Sequence, residues 1–119
     1  MTKKVYELQA RTKQYALRIL RLYCALPKTT EAQVLGRQML RSGTSVGAHY
    51  REGMRARSVA EFVSKIEGGL QELEETAYWL ELMIEGEIMP ESRLQELFRE
   101  TDELIAMFVA SVKTAKPNR

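Results

Sequence analysis

Few residues in this chain carry side chains suited to catalysis or metal binding, and their scarcity limits the chemistry. There is one histidine, His49, and one cysteine, Cys24, among 16 carboxylates and 18 lysines and arginines. A di-iron centre in a helical protein draws glutamates from two helices and Glu-x-x-His motifs from two others. Here the residue three before the sole histidine is Val46, so not even one such motif exists. The pair His49 and Glu52 reads as structural or surface polarity. A carboxylate–histidine cage within one subunit is excluded, and neither metal nor cofactor is expected. Nucleophilic catalysis fails for the same shortage, since a serine or cysteine needs a base to activate it. Cys24 lies in an apolar helical pattern, where a thiol reads as a small core residue. Gly68-Gly69 sits inside a helical stretch and follows no strand, so it is not a phosphate-cradling loop. No enzyme is expected.

The charged and aromatic residues say more. Residues 1–57 hold twelve Lys/Arg against three Asp/Glu, whereas 58–119 hold six against thirteen. The net charge of +2 therefore conceals opposite halves of about +9 and −7. Between 58 and 89, Lys65 stands against eight glutamates. Asymmetry of this kind marks a surface for a polyanion or for the opposite half of a second copy. At 100° per residue Arg37, Arg41, Arg51 and Arg55 fall within roughly 80° of one another, opposite the apolar stripe of their helix. Guanidinium groups so placed track a phosphate backbone, pair with carboxylates of an acidic partner, or form a solvated basic face. Trp79, the only tryptophan, falls outside the apolar arc of its own helix and shares a side with Glu61, Gly68, Glu72 and Glu75. It reads either as an anchor at a subunit contact, where tryptophan is enriched, or as a residue packed at a bundle edge.

Four segments with apolar spacing near 3.6 must position these groups. The first, Lys3 to Ala25, lines up Val5, Leu8, Thr12, Tyr15, Ala16, Ile19, Leu22 and Tyr23, and Pro27 ends it. Thr30 with Gln33 reads as a capping box opening the second. Its stripe is Leu35, Met39, Ser42, Val46, Tyr50 and Gly53. The small residues from Ser42 to Gly47 either let a neighbouring helix approach or bend this one, and close packing is the favoured reading. Ser58 with Glu61 caps the third helix, whose core face reads Phe62, Ile66, Leu70, Leu73, Ala77, Leu80 and Ile84. Gly86 suits a left-handed stop, and Pro90 the first turn of the fourth helix. That helix buries Leu94, Leu97, Phe98, Thr101, Leu104, Ile105, Phe108 and Val112. Lys113, Lys116 and Arg119 then place positive charge at a helix C-terminus. Short connections imply antiparallel neighbours, so the fold expected is all-α, an up-down-up-down four-helix bundle forming a single domain over 1–119.

Composition agrees with a globular protein: 45% of residues are hydrophobic and 29% charged. A lone cysteine permits no disulfide within one chain, which suits a reducing compartment. No apolar run behind the N-terminal lysines forms a secretory signal, and none reaches the ~18 residues of a membrane span. Cytoplasm is expected, with no membrane partner.

The run Arg41-Ser42-Gly43-Thr44-Ser45-Val46-Gly47-Ala48-His49-Tyr50-Arg51-Glu52 also carries a resemblance. With Ala60-Glu61-Phe62, Leu70-Gln71-Glu72 and Tyr78-Trp79-Leu80-Glu81-Leu82, it resembles the four-helix bundle proteins of the S23 ribosomal protein family, some encoded in intervening sequences of bacterial 23S rRNA genes. The chain is also similar, more distantly, to the accessory protein of diversity-generating retroelements, a basic pentamer that binds nucleic acid and a reverse transcriptase. The resemblance implies a bacterial four-helix bundle assembled as a ring of five, with no enzymatic activity and no established task. This chain departs from the pattern at His49, usually asparagine, and at Gly53 and Gly68-Gly69. The function expected is a homo-oligomeric, non-enzymatic scaffold with Trp79, Glu72, Glu75, Arg37 and Arg41 at the subunit contact. The alternative is nucleic-acid binding through Arg37, Arg41, Arg51 and Arg55. Should glutamates cover those arginines, Lys3, Lys4, Arg11 and Arg18 are the next basic surface.

Overall fold

A computed structural model describes residues 3–116, apart from the side chain of Lys4, so Arg119 and that lysine's side chain lie outside the described residues. It contains α1 (Lys3–Ala25), α2 (Thr30–Met54), α3 (Val59–Glu85) and α4 (Glu91–Ala115). Contacts across each seam run in opposite directions along the two helices. Gly36 faces Leu26 and Gly47 faces Thr12, while Ser42 meets Thr76 and Glu52 meets Lys65. Gly69 faces Phe108, and Tyr15 closes the ring of helices on Thr101. The result is the antiparallel up-down-up-down four-helix bundle that the periodicity implies, 47 Å long and 25 by 21 Å across.

One contiguous cluster of buried apolar side chains runs down the axis, including Leu8, Tyr15, Ile19, Met39, Val46, Ile66, Leu73, Leu80, Leu104 and Phe108. Its few polar members bond in pairs across seams. Tyr15 Oη lies 2.7 Å from Thr101 Oγ1, and Ser42 Oγ 2.7 Å from Thr76 Oγ1. Each threonine hydroxyl also reaches the carbonyl four residues back at 2.8 Å, Thr101 that of Leu97 and Thr76 that of Glu72. A buried hydroxyl left without such a partner costs about 1–3 kcal/mol.

The small residues of α2 serve close approach rather than a bend, since α2 runs unbroken from Thr30 to Met54. A β-carbon placed on Gly43 would stand 2.8 Å from Ile19 Cγ1, and one on Gly36 2.5 Å from Leu26 Cδ1. Gly68 and Gly69 do the same for α3. A β-carbon on Gly68 would meet the His49 ring at 3.0 Å, and one on Gly69 would meet Phe108 Cε2 at 2.7 Å. The imidazole at 49 thus occupies room that glycine at 68 leaves open.

Several local expectations shift. Thr29, not Thr30, caps α2: its hydroxyl accepts from Ala32 N–H at 3.3 Å. Gln33 turns its amide to the Pro27 carbonyl instead, at 2.8 Å. Ser58 does cap α3, accepting from Glu61 N–H at 3.0 Å, but the Glu61 carboxylate reaches Arg57 N–H rather than its reciprocal partner. Gly86 is not left-handed (φ −82°); Glu87 takes that conformation at φ 55°. Pro90 stands one residue before α4 as its N-cap. The buried arc of α3 also differs, running through Val63, Gly69, Thr76 and Met83 as well as Ile66, Leu73 and Leu80. Because α3 packs against both α2 and α4, its deepest line bisects the two seams and leaves Phe62, Leu70, Ala77 and Ile84 only half-buried. Leu35 is half-buried likewise. Cys24 is exposed rather than core: nine residues from buried Tyr15, it points to the opposite side of α1.

Candidate interaction surface

Helix order sets the charge geography of the molecule. α1 carries six Lys/Arg and one Glu, whereas α3 carries one lysine and seven glutamates. In this topology α1 and α3 occupy diagonal corners, so the charged halves of the sequence become opposite sides of the bundle. Among the described residues no cluster of His, Cys, Asp or Glu is suited to holding a metal ion, and none of their helices is long and apolar enough to cross a membrane.

The structure divides the four arginines of α2. Arg41 reaches across the α2–α3 seam: Nη1 donates to Glu72 Oε2 at 3.1 Å and Nη2 to Glu75 Oε1 at 2.8 Å. The basic and acidic patches are thus joined within one chain at this point, against the expectation of separate surfaces. The physical reason is the close α2–α3 packing at Ser42 and Thr76, which brings the flanking residues within reach. With Arg41 about half exposed, this fork contributes modestly to stability. Arg37, Arg51 and Arg55 are exposed and have no side-chain hydrogen bond or ion pair among the described residues. Arg51 lies in the last turn of α2, where the helix dipole favours a cation.

Trp79 is half-buried and packs against the core edge, with its Nε1 buried and unbonded among the described residues. The exposed aromatic is its neighbour Tyr78, 54% accessible, whose ring centroid lies 5.2 Å from that of Trp79 at 58°. Tyr78 borders a shallow notch with Gln71, Glu74 and Glu75 on the outer side of α3. Periodicity drew attention to the tryptophan and passed over the tyrosine, although both fall outside the deepest line. His49 is half-buried on the α3 glycines, with Nδ1 unbonded.

A second charged seam, unread in the sequence, joins α1 to α4. Arg11 Nε donates to Glu100 Oε2 at 3.1 Å, and its Nη2 donates to both Glu100 and Glu103. The Glu100 hydrogen bond, opposed by burial, raises the Arg11 pKa further above its ordinary value. Arg11 is therefore occupied and contributes little to any free basic surface.

Comparison with known proteins follows the same outline. Residues 4–110 match the family described as 23S rRNA-intervening sequence protein. A crystal structure of a protein of unknown function from the S23 ribosomal protein family of Bacteroides thetaiotaomicron superposes with a TM-score of 0.87 at 34% identity. The alignment covers 92% of this chain and 98% of that one. Among curated proteins no relative matches.

Proposed function

This chain belongs to the 23S rRNA-intervening sequence protein family, and from that membership we propose a non-enzymatic, self-assembling helical bundle of the cytoplasm. The observation that carries the reading is the segregation of charge: a basic α1 side and an acidic α3 side on one rigid bundle. Two different patches of opposite sign favour a head-to-tail contact, which closes into a ring when the rotation permits. The exposed Tyr78, lying among Glu74 and Glu75 beside Trp79, supplies an aromatic centre for that contact. Resemblance supports a ring of five. In this reading Trp79 and Glu75 stand on the acidic side and Arg37 faces the neighbouring copy, while Arg41 and Glu72 brace the α2–α3 seam behind them.

Sedimentation velocity of the purified chain at micromolar concentration tests the proposal. An oligomer that loosens as salt is raised supports it, because screening weakens exposed charge contacts. A clean monomer at every salt concentration overturns it.

A second reading is favoured by Arg37, Arg51 and Arg55, whose guanidinium groups find no partner among the described residues. They suit nucleic-acid phosphates. Binding would then fall steeply with salt as counterions are released. The absence of any salt-sensitive gel shift with ribosomal RNA or duplex DNA removes this alternative.

A further inference from the structure

At the end of the α1–α4 seam remote from the Arg11 cluster, the two helices leave a groove of about 280 Å³. Arg18 and Arg21 of α1 and Arg93 of α4 border it, with Ser92 and Glu96, above a floor formed in part by Leu22 and Leu97. Three guanidinium groups thus share one concavity with a single carboxylate. Among the described residues none of the three makes a side-chain hydrogen bond or ion pair, and Glu96 accepts from none of them.

The contrast along the seam is informative. At Arg11 the bundle places two carboxylates against one guanidinium; here it places three guanidiniums against one carboxylate. Like charges gathered in one shallow groove repel one another unless an anion joins them. The first turn of α4 opens at this groove as well. Its N-cap is Pro90, which offers no side-chain acceptor to the first-turn N–H groups. Glu91, the acidic residue of that turn, lies on the other side of the helix, in the cleft against α3. The helix therefore adds positive potential to that of the arginines.

We propose that this groove binds a phosphate group, held by Arg18, Arg21 and Arg93 with Ser92 as a further donor. The three arginines border one concavity from two helices instead of running along a single helix face, which suits a terminal or free phosphate better than the backbone of a continuous strand. The groove is large enough, since a water occupies roughly 30 Å³ of liquid and a phosphate takes the room of only a few. The source is either a small phosphorylated molecule or the phosphorylated end of a nucleic acid.

The test is titration of the full chain with inorganic phosphate at constant ionic strength, followed through the backbone amides of Ser92 and Arg93. Saturable shifts are expected that chloride does not reproduce. Arg21→Ala and Arg93→Ala should each weaken binding roughly tenfold or more, the scale of losing a charge-assisted hydrogen bond, and Glu96→Gln should tighten it. Arg37→Ala, on the surface assigned to the nucleic-acid reading, should leave it unchanged. A short oligonucleotide with a 5′-phosphate competing better than inorganic phosphate identifies a chain end as the source; weaker competition identifies a small molecule. Unsaturable shifts, or unchanged affinity in both arginine variants, overturn the proposal. Equal binding of the 5′-hydroxyl oligonucleotide at Ser92 and Arg93 overturns it too, because a terminal phosphate would then be irrelevant.

Discussion

At the scale of single residues, glycines and buried hydroxyls set this bundle's tolerances. Gly43→Ala should destabilise by about 1–3 kcal/mol in urea unfolding, since the new methyl meets three carbons of fully buried Ile19 and overpacking outweighs the gain in helix propensity. Wild-type stability in that variant would mean the α1–α2 seam yields more than its spacing suggests. Tyr15 gives a pH signature. Burial lifts its phenol well above the usual tyrosine range, only partly opposed by its bond to Thr101. In the unfolded chain the group ionises near pH 10, so the folded state favours the neutral form. Its contribution is fully present below about pH 10 and is lost as pH rises from there toward the higher folded value. Tyr15→Phe should therefore show a shallower alkaline fall in stability than wild type. Some slope should persist from Tyr50, which burial also raises. At the surface, Trp79→Ala should weaken assembly more than Arg37→Ala. Equal or reversed effects would count against an aromatic contact. Because Trp79 also packs on its own core, Tyr78→Ala is the cleaner companion: it should reduce assembly while leaving the unfolding midpoint nearly unchanged.

Among elements, the informative places are the helix ends. The stop of α3 has Ile88 N–H bonded to the Met83 carbonyl at 2.9 Å and Glu87 N–H to Ile84 at 3.1 Å, with Glu87 left-handed between. This is a Schellman closure, and glycine is its natural left-handed residue. Gly86 has a different role, since a β-carbon there would stand 2.8 Å from the Leu82 carbonyl oxygen. Glu87→Gly should stabilise the protein by about 0.5–1 kcal/mol, relieving left-handed strain against some gain in unfolded-chain entropy. A drop in thermal midpoint would refute the assignment. The existence and order of all four helices were legible in apolar spacing, because each buries one stripe of a 3.6-residue period. The ends were less so. Adjacent Thr29 and Thr30 are chemically equivalent caps, and only the chain path from Pro27 decides between them. A glycine signals freedom of the backbone without saying whether conformation or crowding requires it.

For the whole molecule, the proposed ring and the proposed phosphate groove rest on different features and separate experimentally. Raising salt should dissociate the assembly without depending on Arg93, whereas Arg93→Ala should weaken phosphate binding at any oligomeric state. What the sequence alone determined was the four-helix bundle, the family, the opposite charge of its halves and the scarcity of catalytic groups. All of these follow from composition, periodicity or motif order along one chain. Tertiary packing alone decided that Arg41 is tied to Glu72 and Glu75 and that Tyr78 rather than Trp79 presents an open aromatic face. It also decided that Arg18, Arg21 and Arg93 share one groove although more than seventy residues separate α1's arginines from α4's. Periodicity assigns a residue to a side of its own helix. Which neighbour that side meets, and at what height, depends on how closely the glycines let the helices approach.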